Sequence, residues 1–337
     1  MHYRQGLVNS TRMNPLHAPL VFAPVYKDYI WGGSRIPAAY ARSGAPGVCA
    51  ESWEISAHPD GMSVVAAGAF ANQSLGELAD RFGAGLTGSR APDPRRFPLL
   101  FKLIDARDRL SVQVHPNNGN AAQTGGEPKT EMWYVLDRTP GASLYAGLAD
   151  GVTPDALRDA LAAGSAEACL VRLPVERGQA LFIPGGLVHA IGAGCLVYEV
   201  QQNSNTTYRL YDWNRTGADG KPRALHIEES FKTIDWTLRP PRMQAPVSRG
   251  GCGGNVWSDV VSCAFFTLRK LELAQPLAVP VDGTSFHALF VEKGRASVSA
   301  GGETAVLAAG SSALVSAGAG GYTLASEGAA TLLVTTL

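Results

Sequence analysis

The chain has 337 residues, enough to bury a sizeable core in one large domain or two. Its 29 basic and 29 acidic residues cancel, and no basic block stands out, which argues against nucleic acid as a partner. Charged residues make up only 17 % while Gly (38) and Pro (21) are plentiful, a mixture that favours many short strands joined by tight turns over a helical bundle.

The first residues, "MHYRQGLVNSTRMNPLHAP", carry no apolar h-region and read as a loose extension over 1–19 rather than a secretory signal. "LVFAPVYKDYIWGG" then alternates like a strand, and "SWEISAHPDGMSVVAAG" reads as strand, Pro-Asp-Gly turn, strand. At "NQSLGELADRFGAGL" the period changes: Leu75, Leu78 and Phe82 share a helical face behind Ser74 as N-cap, which predicts a helix over about 74–84. "FPLLFKLIDARDRLSVQVHP" returns to strands, its Leu-Leu-Phe run apolar enough to be buried on both faces. In "LSVQVHPNN" the alternation puts Ser111, Gln113 and His115 on one face, polar types better suited to a pocket wall than to a solvated edge.

"EMWYVLD" and "CLVYEVQQ" are further strands. A helix is predicted over about 153–164, with Thr153 as cap, Pro154 at the first helical position and Gly164 as stop. Another follows over about 226–236. "LRPPRMQAPVSRG", 238–250, reads as a linker. Beyond it, 251–337 shows short Val, Leu, Phe and Thr strands between Gly and Ala turns, a second and smaller all-β unit after a first one over 20–237. The five cysteines (Cys49, Cys169, Cys195, Cys252, Cys263) are odd in number, widely spaced and free of C-x-x-C pairs. They point to reduced thiols and a cytoplasmic setting. No apolar run reaches the ~18–20 residues of a membrane span, so no membrane partner is expected.

The chemistry gathers in "GQALFIPGGLVHAIGAG", where Gly178, Pro184, Gly186 and His189 are spaced G-x5-P-x-G-x2-H. A glycine turn, a short apolar strand and a Pro-Gly turn would set His189 facing inward at the start of the next strand. The spacing matches the second motif of the cupins, small jelly-roll β-barrels that bind metals. The counterpart of the first cupin motif is Gln113-Val114-His115 followed by Glu131. A histidine alone on a strand is ordinarily a hydrogen-bonded structural residue, and Glu131 alone would be a solvated one. Together, two imidazoles, a carboxylate and an amide oxygen suit one divalent transition ion such as zinc, with room for water or substrate. In "YEVQQNSNTTYRLYDWNR", Glu199 and Gln201 share a face, and an acid inside a barrel is costly unless it has a partner or a task. Arg209 and Arg215 lie beyond it among aromatics, as surface ion pairs or as guanidinium forks for an anionic group.

"WGG" (31–33), "ESWEISAHPDGMSVV" (51–65), "PLLFKLIDARDRLSVQVHP" (98–116), "KTEMWYVL" (129–136), "IPGGLVHAIG" (183–192) and the 198–215 stretch together resemble the type I mannose-6-phosphate isomerase family in its shorter bacterial form. The resemblance covers most of 20–236. It implies a mainly β fold, a cupin catalytic domain with small helical insertions plus a second, degenerate cupin-like β domain. It implies that His115, Glu131 and His189 hold zinc with Gln113 as a fourth ligand, and that Arg209 is the active-site arginine. Glu199, Lys129, Ser111 and Arg215 match positions lining a sugar-phosphate pocket. The implied reaction interconverts mannose 6-phosphate and fructose 6-phosphate through an enediol. Glu199 or Lys129 would transfer the proton, Arg209 would stabilise the enediolate or bind phosphate, and Ser111 and Arg215 would assist at the phosphate. A monomer or homodimer is expected.

His115 and Glu131 are only 16 positions apart, too few for a large inserted helical domain between them. In the last unit, "GSSALVSAGAGG" (310–321) repeats the turn frame as G-x5-S-x-G-x2-G, with Gly321 where the histidine would stand. That predicts a barrel that kept its turns and lost its ligand, with His287 and Glu292 as structural residues. Two rivals remain on sequence grounds. An Fe(II) oxygenase also uses two histidines and a carboxylate, but has no need of a phosphate-binding cation pair. A sugar-phosphate-binding cupin without turnover would lack a proton-transfer group, whereas Glu199 and Lys129 are both present.

Overall fold

The computed structural model describes residues 15–42, 44–217 and 220–337, so most of the expected 1–19 extension lies outside the described residues. The structure is mainly β, two barrels each made of two facing sheets. In the first barrel one sheet runs Ala180–Ile183, Glu131–Arg138, Cys195–Gln202, Leu99–Ala106, Glu51–Ser56 and Val25–Lys27. The facing sheet runs Tyr208–Tyr211, Val112–Val114, His189–Ile191, Ser143–Leu148 and Leu170–Pro174. All pairings are antiparallel, and Trp133, Val135, Leu144, Leu181, Ile191 and Val197 fill the space between the sheets.

The three predicted helices are present as Leu75–Phe82, Pro154–Ala162 and Ile227–Thr233. Ser74 and Glu77 close a reciprocal capping box on the first, and the Thr153 side chain accepts the Ala156 N–H at the start of the second. Arg35–Tyr40, Ala84–Thr87 and Ala121–Thr124 are also helical, each too short for a 3.6-residue period to show in the sequence. Residues 238–250 are not a free connector throughout. Gln244 and Ala180 exchange backbone hydrogen bonds of 2.8 Å, and Val247–Gly250 pairs with Val256–Ser262 as a sheet edge.

The second barrel repeats the strand order of the first. Its larger sheet runs Ser312–Val315, His287–Lys293, Ala330–Thr336, Thr267–Leu273, Val256–Ser262 and Val247–Gly250. Its smaller sheet runs Leu277–Pro280, Gly321–Ser326, Arg295–Ala300 and Glu303–Ala308. The two barrels press their larger sheets together through one shared apolar core. Tyr198 stacks on Phe290 and Phe97 packs on Phe286, each pair with ring centroids 4.6 Å apart. Leu20 and Leu314 exchange backbone hydrogen bonds of 2.8 Å across the junction. No helix among the described residues is long and apolar enough to cross a membrane.

Candidate functional site

His115, Glu131 and His189 converge at one end of the first barrel, their ligand atoms all within 4.8 Å of one another and all three side chains buried. Local backbone geometry does the gathering. Gln113 and His189 are direct partners across an antiparallel pair, so their side chains stand on one face. His115 follows two residues after Gln113. Glu131 opens its strand opposite Ile183 and Gln201. The Pro184–Gly186 turn carries the chain into His189: Gly186 sits at φ +94°, and a Cβ at Gly185 would come 2.7 Å from the Pro116 carbonyl oxygen. The turn is fixed to the His115 strand end by the Gly186 N–H donating to the His115 carbonyl at 2.8 Å. The Lys129 N–H donates to the Pro116 carbonyl at 2.8 Å, which brings the segment ending in Glu131 alongside.

The Leu187 carbonyl lies 2.8 Å from His189 Nδ1. A carbonyl can only accept, so Nδ1 carries the proton and Nε2 keeps its lone pair. That Nε2 is 3.1 Å from His115 Nε2 and 3.3 Å from Glu131 Oε1, and His115 Nε2 is 3.6 Å from Glu131 Oε2. Burial pushes the His115 pKa well below its usual value, with Lys129 adding to the effect, and pushes His189 down to about 3. Both imidazoles are therefore neutral. Burial outweighs Lys129 and pushes the Glu131 carboxyl up. Two facing lone pairs and a buried carboxylate without a well-directed hydrogen bond are matched by a divalent cation bound to nitrogen and oxygen. The residues fit the metal that the sequence predicts. Gln113 places its amide 3.4 Å from His189 Nε2, where either amide atom could be turned inward.

Beside the trio opens a cavity of about 220 Å³. Ser111, Gln113, Lys129, Glu199 and Arg209 all line it, as the sequence predicts. Lys129 Nζ lies 2.8 Å from Glu131 Oε2 and 3.0 Å from His115 Nε2. The Glu199 carboxylate accepts a hydrogen bond of 2.8 Å from the Trp133 indole. Burial opposes its ionisation, but the Lys102 and Lys129 ammoniums prevail and hold its pKa below the usual value. The Arg209 guanidinium donates to the Ala224 carbonyl at 2.9 Å and contacts no carboxylate among the described residues. Burial, together with Arg223 and Arg215, lowers its pKa.

Arg215 stands apart from this group. Its guanidinium is held by Asp212 at 2.6 Å and Asp108 at 3.1 Å, and it is not part of the cavity wall. The second arginine on the wall is Arg223, oriented by two bonds of 2.8 and 2.6 Å to Asp212. Lys102 is the other residue that sequence reasoning missed. It is buried, with Nζ 3.3 Å from Glu199 and 3.5 Å from Glu51. Burial opposes its charge, yet the two carboxylates raise its pKa overall. The signal was present: a single lysine inside "LLFKLI", a run buried on both faces, has to be paired or functional.

In the second barrel the glycine frame is kept. Gly178 and Gly310 both adopt φ +83° before corresponding strands. His287 bonds the Tyr322 hydroxyl at 3.0 Å, and Glu292 accepts from the Tyr134 hydroxyl at 3.1 Å across the junction.

Comparison with known proteins matches segments in both units of the chain. The sequence model of the phosphomannose isomerase type I catalytic domain matches residues 20–138, and that of the mannose-6-phosphate isomerase cupin domain matches 258–336. The chain is 38 % identical over 259 residues to the mannose-6-phosphate isomerase of Streptococcus mutans, covering 76 % of this chain and 79 % of that one. It is 38 % identical over 258 residues to the mannose-6-phosphate isomerase ManA of Bacillus subtilis, covering 76 % and 80 %. The crystal structure of the mannose 6-phosphate isomerase from Bacillus subtilis superposes with a TM-score of 0.84 at 29 % identity, over 95 % of this chain and 100 % of that one.

Proposed function

The chain belongs to the type I mannose-6-phosphate isomerase family, and from that premise we propose how its residues divide the work. The reaction is an aldose–ketose isomerisation, interconverting mannose 6-phosphate and fructose 6-phosphate. A proton leaves C2, an enediol forms, and a proton arrives at C1. The observation that carries the assignment is the convergence of His115, Glu131 and His189 beside a cavity lined by Lys129, Glu199 and Arg209.

The ion we assign to the trio is zinc, with Gln113 as fourth ligand. When bound it supplies a fixed positive charge that favours an oxyanion on the sugar. The neutral state of both imidazoles, enforced by burial, is what such an ion requires.

Glu199, kept ionised in a buried wall, is the group we assign to accept the carbon-bound proton. The Trp133 indole and Lys102 fix its carboxylate in place. Lys129, on the wall of the same cavity, is placed to protonate or deprotonate the sugar oxygens. Arg209 carries a charge uncommitted to any described carboxylate and suits the enediolate or the phosphate. Ser111 adds a hydroxyl donor on the same wall. Arg215 is spent on Asp108 and Asp212, so its part in phosphate binding is to steady Asp212, which in turn orients Arg223. All five cysteines are free, which supports a reducing, cytoplasmic setting.

A coupled assay tests this directly. Purified protein converts mannose 6-phosphate, loses activity to a chelator and regains it with zinc. Arg209→Ala abolishes turnover while leaving metal content unchanged. Activity that persists through exhaustive chelation would overturn the metal assignment.

A further inference from the structure

The second barrel carries a pocket that matches the catalytic cavity position by position. Three pairings establish the match. Glu131 lies opposite Ile183, five residues after Gly178; His287 lies opposite Val315, five residues after Gly310. Lys102 lies opposite Glu199, and in the same place Arg269 lies opposite Val334. Glu51 lies opposite Ile104 and Trp257 opposite Leu271. Even the bulge recurs, between Trp53 and Ile55 in one barrel and between Asp259 and Val261 in the other. On the facing sheet, His189 with Gln113 becomes Gly321 with Pro280, and His115 becomes Asp282.

The substitutions have a consistent chemical direction. The metal site is dismantled: two donors are replaced by Gly321 and Pro280, and Tyr322 engages His287 Nδ1. Asp282 accepts from both the backbone N–H and the hydroxyl of Thr284. The cation is retained, because Arg269 stands where Lys102 does. The two carboxylates that neutralise Lys102 are gone, replaced by Trp257 and Val334. Arg269 bonds Asp259 through Nε at 3.3 Å, and its terminal NH groups make no hydrogen bond among the described residues. Arg90 reaches the same opening from the first unit and forms no ion pair among the described residues. Trp257, Arg269, His287 and Arg90 line a cavity of about 460 Å³. Small-ligand sites span roughly 300–1,000 Å³.

We propose that the mouth of the second barrel is a metal-independent binding site for a phosphorylated sugar, its phosphate on Arg269 and Arg90 and its ring against Trp257. Guanidinium supplies the planar fork that a phosphate needs, and an indole supplies an apolar face for the sugar's C–H surface. Asp282, the one acid on the wall, is turned to Thr284.

Equilibrium dialysis with labelled mannose 6-phosphate, at isomerisation equilibrium, tests the proposal by counting sites on the intact protein. The wild-type chain binds two molecules, and Arg269→Gln weakens one site by about tenfold or more while kcat/KM is unchanged. Arg90→Gln, on an exposed residue, reproduces the effect if Arg269→Gln folds poorly. Chelation leaves the Arg269-dependent site in place. One site per chain in the wild type, two undiminished sites in both variants, or displacement by inorganic phosphate at the sugar phosphate's own affinity would overturn the proposal. Two sites in a protein without turnover would sink the isomerase mechanism instead and leave this site standing.

Discussion

Lys102→Met removes one charge from a buried cluster, and the structure sets the size of the effect. Its ammonium lies 3.3 Å from Glu199 and 3.5 Å from Glu51, with all three side chains largely out of solvent. At an effective dielectric near 20 each pair attracts by about 5 kcal/mol, against a desolvation cost of several kcal/mol per ion. Methionine keeps the volume but strands two carboxylates in a low-dielectric wall. Truncating one partner of a buried ion pair costs about 3–5 kcal/mol, a large share of the about 5–15 kcal/mol that holds a domain folded. Urea unfolding at neutral pH measures the loss. The coupled assay should show turnover reduced by at least tenfold, because Glu199 loses the stronger of the two ammonium influences that keep it ionised against burial. Adding Glu51→Gln and Glu199→Gln to the same chain relieves the stranded charges and restores stability without restoring turnover. A single Lys102→Met variant within about 1 kcal/mol of wild type and normally active would refute the reasoning.

Arg215→Ala should lower kcat/KM far less than Arg209→Ala, since Arg215 is held by Asp108 and Asp212 away from the cavity; equal losses in steady-state kinetics would contradict that placement. Asp212 is buried, and its bonds to Arg223 and Arg215 overcome desolvation to lower its pKa. A lowered carboxylate stabilises the fold above its usual value of 3.8 and loses that contribution as pH falls through the folded value, so Asp212→Asn should flatten the decline in stability below pH 3.8. Phe290→Ala deletes the ring stacked 4.6 Å from Tyr198 between the barrels and should cost about 3–5 kcal/mol in urea unfolding.

The sequence was most legible where chemistry and turn geometry coincide. Gly178, Pro184, Gly186 and His189 state a turn, a strand and a candidate ligand in one line, and the alternation through Ser111, Gln113 and His115 put Ser111 and Gln113 on the cavity wall with His115 beside it. Helix caps at Ser74 and Thr153 were equally readable, because capping is local. What resisted was non-local. Arg215 and Arg223 are eight residues apart on one excursion of chain, and only the position of Asp212 decides which faces the cavity. Lys102 sits in an apolar run whose pattern shows burial, while the carboxylates that pair it, Glu199 and Glu51, lie on other strands. The recurrence of the catalytic wall in the second barrel depends on pairing register, which no single-strand pattern contains.

The central claim is that His115, Glu131 and His189 hold one divalent ion beside the isomerisation cavity. An anomalous difference map recorded at the zinc edge, from crystals grown with zinc, measures this directly. The account predicts one strong peak per first barrel, about 2.0–2.2 Å from the Nε2 atoms of His115 and His189 and from a Glu131 oxygen. A map with no peak there, or with the ion bound elsewhere on an active enzyme, would contradict it.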